Sequence, residues 1–366
     1  MLKKLFSLSI SISGHRIVGL DILRTVAILL VMISHSKIYL SQDIQNFLSF
    51  FLIDGVAVFF VLSGFLIGRI MIKVFTEETS CKQIFNFWAR RWLRTLPNYY
   101  FILLILIGLE GLVNEKNITS DLFTYSFFLQ NLYYPIENFF PESWSLTVEE
   151  WFYLICPLLF FFIHLFLVKN KKITFLISII LIILFANIVR IYYYFNLETK
   201  NYFIYDRYFL RQVITRIDAI IYGVLSAWIY VYYPNIFNKY RNINFIIGCI
   251  AVLLIHNLES QYQPFQYLLS FTLASIAIMI TLPFLNNIKN IKIKSLQNII
   301  IHISLISYSM YLINFSLVNF WILPLFKIKT DIINFFLFWG ITIVISTILY
   351  KRLELPFLTL RDKILK

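Results

Sequence analysis

Arg24 and His35 lie eleven residues apart inside one apolar stretch, GLDILRTVAILLVMISHS. On a helix that spacing is about 1100° of rotation, about 20° past three full turns, and about 16 Å of axial rise. Both side chains therefore face the same way at two depths. A guanidinium holds anions, and an imidazole moves protons near neutral pH. Ionisable groups at membrane depth are functional candidates by default, so this stripe could bind at one level and react at the other.

A second basic element is FNFWARRWLRTLPNYY, where Arg90, Arg91 and Arg94 alternate with Phe87, Trp88, Trp92 and Leu93 before Pro97. Arg91 and Arg94, three apart, share a helix face. The segment reads either as an interfacial helix anchored by tryptophan with arginines reaching lipid head groups, or as a clamp for a phosphate-bearing ligand. Further along, FFPESWSLTVEEWFYLICP contains Thr147 and Glu150 at the spacing of a capping box, which would start a helix there. Glu149 is left without a structural task. It is expected at the level that His35 reaches, where an imidazole and a carboxylate together could supply a base and its orienting partner. Arg216 and Asp218 read either as intramembrane site candidates or as a pair that neutralises itself through helix neighbours, and Asp54 precedes GVAVFFVLSGFLIGR, whose Gly55, Gly64 and Gly68 would permit close helix contact. His15, His164, His256 and His302 sit near the ends of apolar stretches and read as interfacial or packed.

The elements that must position these residues are membrane helices. The 366 residues are 60% hydrophobic and 14% charged, with a mean hydropathy of +0.77, outside the range of soluble domains. Ten apolar runs approach the roughly 20 residues needed to cross a bilayer. They start near Ile17, Phe47, Pro97, Leu146, Ile173, Leu210, Ile243, Phe265, Ile299 and Ile332, the seventh being the shortest. The expected fold is an all-α integral membrane protein of about ten helices, forming a single domain over residues 1–366 with no appended soluble domain.

The net charge of +13 would suggest nucleic acid in a soluble protein, but its distribution here points to topology. With the N-terminus in the cytoplasm, 22 of the 32 lysines and arginines fall on the inner side, among them Lys3, Lys4, Arg91, Arg94 and the five from Lys351 to Lys366. Seven fall outside, among them Lys37, Lys116, Lys200 and Arg211. The positive-inside rule thus places both termini in the cytoplasm. No cleavable signal peptide is expected ahead of the first span. Cys81, Cys156 and Cys249 are scattered and read as small buried hydrophobes rather than disulfides or metal ligands. No metal site, permanently bound cofactor or nucleic-acid partner is expected.

Together these segments resemble the acyltransferase-3 family, bacterial inner-membrane enzymes that move acyl groups, most often acetyl, onto extracytoplasmic carbohydrates. The resemblance rests on Arg24-x10-His35 after GLD, FFVLSGFLI at Phe59 to Ile67, Arg91-x2-Arg94-x2-Pro97 and the WSL-x2-E segment from Trp144 to Glu149. Arg216 with Asp218 before Gly223, SYSMYLI at Ser307 to Ile313, and Glu354-x-Pro356 extend it over nearly the whole chain. Family members often have histidine where SYSMYLI continues with Asn314, which leaves this position a hydrogen-bonding role rather than proton transfer. The C-terminal esterase-like domain of some relatives is not seen in this sequence.

The resemblance implies acyl-CoA as donor, its phosphates meeting Arg24, Arg91 and Arg94 at the inner side. It implies His35 and Glu149 as the catalytic pair beside an extracytoplasmic glycan hydroxyl, with Trp144, Ser145, Glu150, Arg216 and Asp218 in substrate-binding or supporting roles. His35 would act as general base on the acceptor or take the acyl group itself. A surface polysaccharide such as O-antigen or capsule is the expected acceptor, membrane lipid the surroundings, and the bacterial inner membrane the location. The competing reading is a transporter or flippase for a glycolipid or small anion, which ten spans with buried charges also fit. Against it, the sequence has no internal repeat and no matched pair of Gly/Pro-broken spans.

Overall fold

The computed structural model describes residues 16–113, 123–133, 139–197, 201–259 and 261–365. Lys3, Lys4, His15, Lys116, Lys200 and Lys366, which enter the readings above, lie outside them. The described residues form helices and connecting turns, with no strand among them. Ten helical segments are long and apolar enough to cross a membrane, the shortest being the seventh, Arg241–Glu259. This is a multi-pass, all-α membrane protein, as its hydropathy pattern requires.

We number the helices α1 (Val18–Ser36), α2 (Gly55–Glu77), α3 (Cys81–Val113), α4 (Ser143–Phe162), α5 (Lys171–Asn196), α6 (Val213–Tyr232), α7 (Arg241–Glu259), α8 (Ser270–Met279), α9 (Lys294–Ile313) and α10 (Asp331–Leu349). Two apolar cores meet along α1. Leu20 and Ala27 join a core built mainly from α2, α4, α5, α6 and α8, whereas Ile28, Val31 and Met32 join one built from α3, α9 and α10.

The tightest helix pair is α2 with α6. A Cβ added to Gly64 would lie 1.9 Å from the Ile220 carbonyl oxygen, and one added to Gly223 would lie 2.1 Å from that of Val61. Only glycine lets the two backbones approach so closely. Gly68 repeats the approach one turn on, against Val224 and Ala227, so small residues four apart on both helices form the contact. Both helices also carry site residues, and this seam fixes their relative height.

Two local departures from α-helical geometry shape the site. α9 runs into a π-helical stretch, Asn314–Ile322, and α10 into another, Tyr350–Glu354; such insertions rotate the following side chains out of register and recur at functional sites. The basic segment expected as a separate interfacial helix is instead the first half of α3, which continues through Pro97 for 33 residues. At about 1.5 Å per residue this helix is about 50 Å long, so it outreaches a hydrocarbon core of roughly 30 Å.

Candidate active site

The arginines converge. Arg24 from α1 and Arg91 and Arg94 from α3 line one cavity of about 120 Å³, together with Ser63 of α2, Ser145, Glu149 and Tyr153 of α4, and Tyr308 of α9. None of the three guanidinia forms an ion pair among the described residues, and the Arg91 Nε is buried without a hydrogen-bond partner. Leaving half-buried cations unpaired is costly. A cavity with three of them and a single carboxylate, Glu149, is suited to an anionic ligand.

Glu149 does not meet His35, which corrects the expectation of a catalytic pair. Its Oε2 accepts a 2.7 Å hydrogen bond from the Tyr153 hydroxyl, which itself lies 3.0 Å from the Ser63 Oγ. The reason is where α4 begins. The helix starts at Ser143, not at Thr147, so Glu149 is already about 9 Å along it at 1.5 Å per residue and faces the arginines. The capping-box reading falls with it: Thr147 bonds back to the Ser143 carbonyl, and the buried Glu150 accepts from the Thr95 hydroxyl at 2.8 Å, tying α4 to α3.

His35 lines a second, wider cavity of about 520 Å³. Its Nδ1 lies 2.5 Å from Asn314 Oδ1, and its ring is 4.6 Å from that of Phe315. The π-helical turn after α9 supplies both contacts, and Asn319 from the same stretch donates to the His35 carbonyl at 3.2 Å. The turn is clamped from the other side by Glu142, one residue ahead of α4: its carboxylate accepts from the Ser316 N–H at 3.0 Å and from the Ser316 hydroxyl at 2.5 Å. Burial pushes the Glu142 carboxyl up to about 7 against the pull of these bonds.

The remaining predicted positions divide between the two cavities and the scaffold. Trp144 lines the His35 cavity, and Ser145 lines the arginine cavity while donating to the Tyr311 hydroxyl at 2.7 Å. Arg216 and Asp218 do not neutralise each other, because residues two apart on a helix point away from one another. Arg216 reaches Asp54 at 2.8 Å, and Asp218 pairs with Arg190 of α5. Asp54 also caps α2 by accepting from the Val56 and Ala57 amides. Glu354, in the second π-helical turn, accepts from Asn98 of α3 and Ser309 of α9 at 3.3 and 3.4 Å.

Sequence reasoning missed Glu142, Ser316, Tyr153 and Arg211. Arg211 lines the His35 cavity with its Nε held by Asp206 at 2.9 Å. The only signal for Glu142 was an acid beside WSL in an otherwise apolar run. Val56 and Tyr311 line both cavities, so the arginine site and the histidine site share a wall.

Among known proteins, a protein of Staphylococcus aureus strain COL provisionally named an O-acetyltransferase is 26% identical over 361 residues, covering 93% of this chain and 57% of its own length. The peptidoglycan O-acetyltransferase OatA of Listeria monocytogenes is 29% identical over 234 residues, 58% of this chain and 36% of the relative. The O-acetyltransferase OatA of Staphylococcus aureus strain NCTC 8325 is 27% identical over 226 residues, 58% of this chain and 34% of the relative. The chain thus spans little more than half the length of the first of these relatives. No solved structure matches it. The family model described as an acyltransferase domain matches residues 17–351, a range that holds both cavities and every predicted site residue, and the chain belongs to the acyltransferase-3 family.

Proposed function

We propose that the protein is a membrane O-acetyltransferase that takes an acyl group from cytoplasmic acyl-CoA and gives it to a hydroxyl of an extracytoplasmic glycan. The observation that carries this reading is the pairing of an arginine cavity holding three cations and one carboxylate with a histidine cavity behind a shared wall. In it, Arg24, Arg91 and Arg94 hold the donor's phosphates, whose planar forks suit bidentate contact. Glu149, bonded to Tyr153, sets the charge balance of that cavity rather than orienting the histidine. The thioester end extends towards Tyr311, and His35 serves the acceptor hydroxyl on the far side.

The acceptor cavity supports a sugar. Trp144, Tyr202 and Tyr205 offer ring faces, while Glu259 offers hydrogen-bond acceptors for hydroxyls. Its two arginines are already paired, Arg211 with Asp206 and Arg216 with Asp54, so the reacting unit has no spare cation to meet. The orientation follows the charge bias, with both termini and the basic half of α3 in the cytoplasm and the protein in the bacterial cytoplasmic (inner) membrane. A surface polysaccharide such as O-antigen or capsule is the acceptor we favour, and the name of the Listeria relative adds peptidoglycan to the candidates.

Mass spectrometry of surface glycans tests this in a deletion strain complemented with wild type or His35→Ala. One acyl increment present only with wild type is the expected result. Identical glycans in all strains, with the protein expressed, would exclude those acceptors.

A further inference from the structure

The contacts around Asn314 determine which His35 nitrogen carries the proton. The Asn314 amide nitrogen donates to the Met310 and Tyr311 carbonyls at 2.9 and 2.8 Å. Both N–H bonds are therefore committed, which fixes the orientation of the amide and turns Oδ1 towards the imidazole. An amide oxygen only accepts, so the 2.5 Å contact with His35 Nδ1 requires a proton on Nδ1. Nε2 is then the lone-pair nitrogen.

Asn314 cannot take up that Nδ1 proton, as a carboxylate or a second imidazole could. This bears on the two routes open to His35. If Nε2 attacked the thioester carbonyl and the C–S bond broke, the acyl-imidazole would keep its Nδ1 proton and with it a positive charge. Asn314 and Phe315 are its neighbours on the π-helical turn, and Arg211, two residues ahead of α6, lines the same cavity. Across the cavity, Asp54 and Asp206 are committed to Arg216 and Arg211, and Glu142 is committed to Ser316; Glu259 lies on α7. Among the described residues, no carboxylate is bonded to the ring. In the alternative, Nε2 takes the proton of the acceptor hydroxyl as its oxygen attacks the thioester carbon, the C–S bond breaks, and the departing thiolate takes the proton back from Nε2. The imidazolium is then transient and no covalent adduct forms.

Building on the acyltransferase reading, we propose that Asn314 is a positioning residue that holds His35 as the Nδ1–H tautomer and thereby makes it a general base through Nε2 rather than an acyl carrier. The test has two readouts on the full-length protein in lipid. Solid-state NMR of ¹⁵N-histidine-labelled protein, with the His35 signals assigned by their loss in His35→Ala, should show Nδ1 protonated and Nε2 bare at neutral pH. Asn314→Ala should lose that preference, and Asn314→Gln should restore part of it. A rapid quench with labelled acetyl-CoA and no acceptor should leave no label on His35 in wild type. An Nε2–H tautomer in wild type, or label on His35 that accumulates at the rate of thioester cleavage, would overturn the proposal. The proposed function fails differently: with the tautomer as stated, no acetyl-CoA is bound or consumed.

Discussion

The two cavities treat charge in opposite ways. Around Arg24, Arg91 and Arg94 the protein gathers cations from two helices with one carboxylate among them. Around His35 each arginine is paired and the carboxylates are in excess. A cation cluster without partners is electrostatically unfavourable by itself and becomes favourable when an anion arrives. A paired site gains little from an anion and selects by hydrogen bonds and ring contact instead. On the proposed function, the contrast separates a site built to hold a charged donor from one built to handle a hydroxyl, with α1 contributing Arg24 to the first and His35 to the second.

Because α2 lines both cavities and α6 packs backbone to backbone against it, Gly223→Leu should break the comparison altogether. The new side chain meets the α2 backbone, and overpacking of this kind costs about 1–3 kcal/mol or more. Lowered thermal stability in detergent should accompany loss of donor binding and of transfer together. If only one is lost, the cavities are not coupled through this seam.

His35→Ala should separate the two sites. Loss of a general base typically costs about 10²–10⁴-fold in rate, so transfer of labelled acetyl should collapse while acetyl-CoA binding by calorimetry stays near wild type. Arg94→Ala should do the reverse and raise the KM for acyl-CoA about 10-fold or more, the worth of a charge-assisted hydrogen bond. Arg94→Lys should rescue only partly, because a point charge lacks the fork. An unchanged donor dependence would make the basic half of α3 a lipid anchor.

The smallest effect concerns Glu142. Its carboxyl is raised to about 7 by burial, above an unfolded value near 4.3, so the native state binds the extra proton between these limits. Stability should therefore fall as pH rises through that window. Thermal unfolding of wild type from pH 5 to 8 should show this slope and Glu142→Gln should flatten it; parallel curves would mean that the carboxylate is not desolvated.

How legible this was in the sequence depended on whether one helix or two decided the outcome. The ten spans and the Arg24–His35 stripe follow from the periodicity of single helices. Gly64 and Gly68 were legible because small residues four apart make one kind of contact. Glu149, Arg216 and Asp218 were misread because each partner is set by the height and rotation of a neighbouring helix. Thr147 and Glu150 imitated a helix start that lies four residues earlier, at Ser143. The π-helical turn that brings Asn314 to His35 left no periodic mark, since one inserted residue in an apolar run preserves the apolar pattern.

The shared wall has one more consequence. On the proposed function the cavities open to opposite sides of the membrane, and Val56 and the Ser145-bonded Tyr311, which line both, would then also be the insulation between two aqueous compartments. An acyl group would in that case cross the bilayer past the thickness of a side chain while no solute moves, and the chemistry would need no ion gradient. The same economy makes the wall a liability: Tyr311→Gly should let protons leak into liposomes loaded with a pH-sensitive dye, turning a catalyst into a conductance.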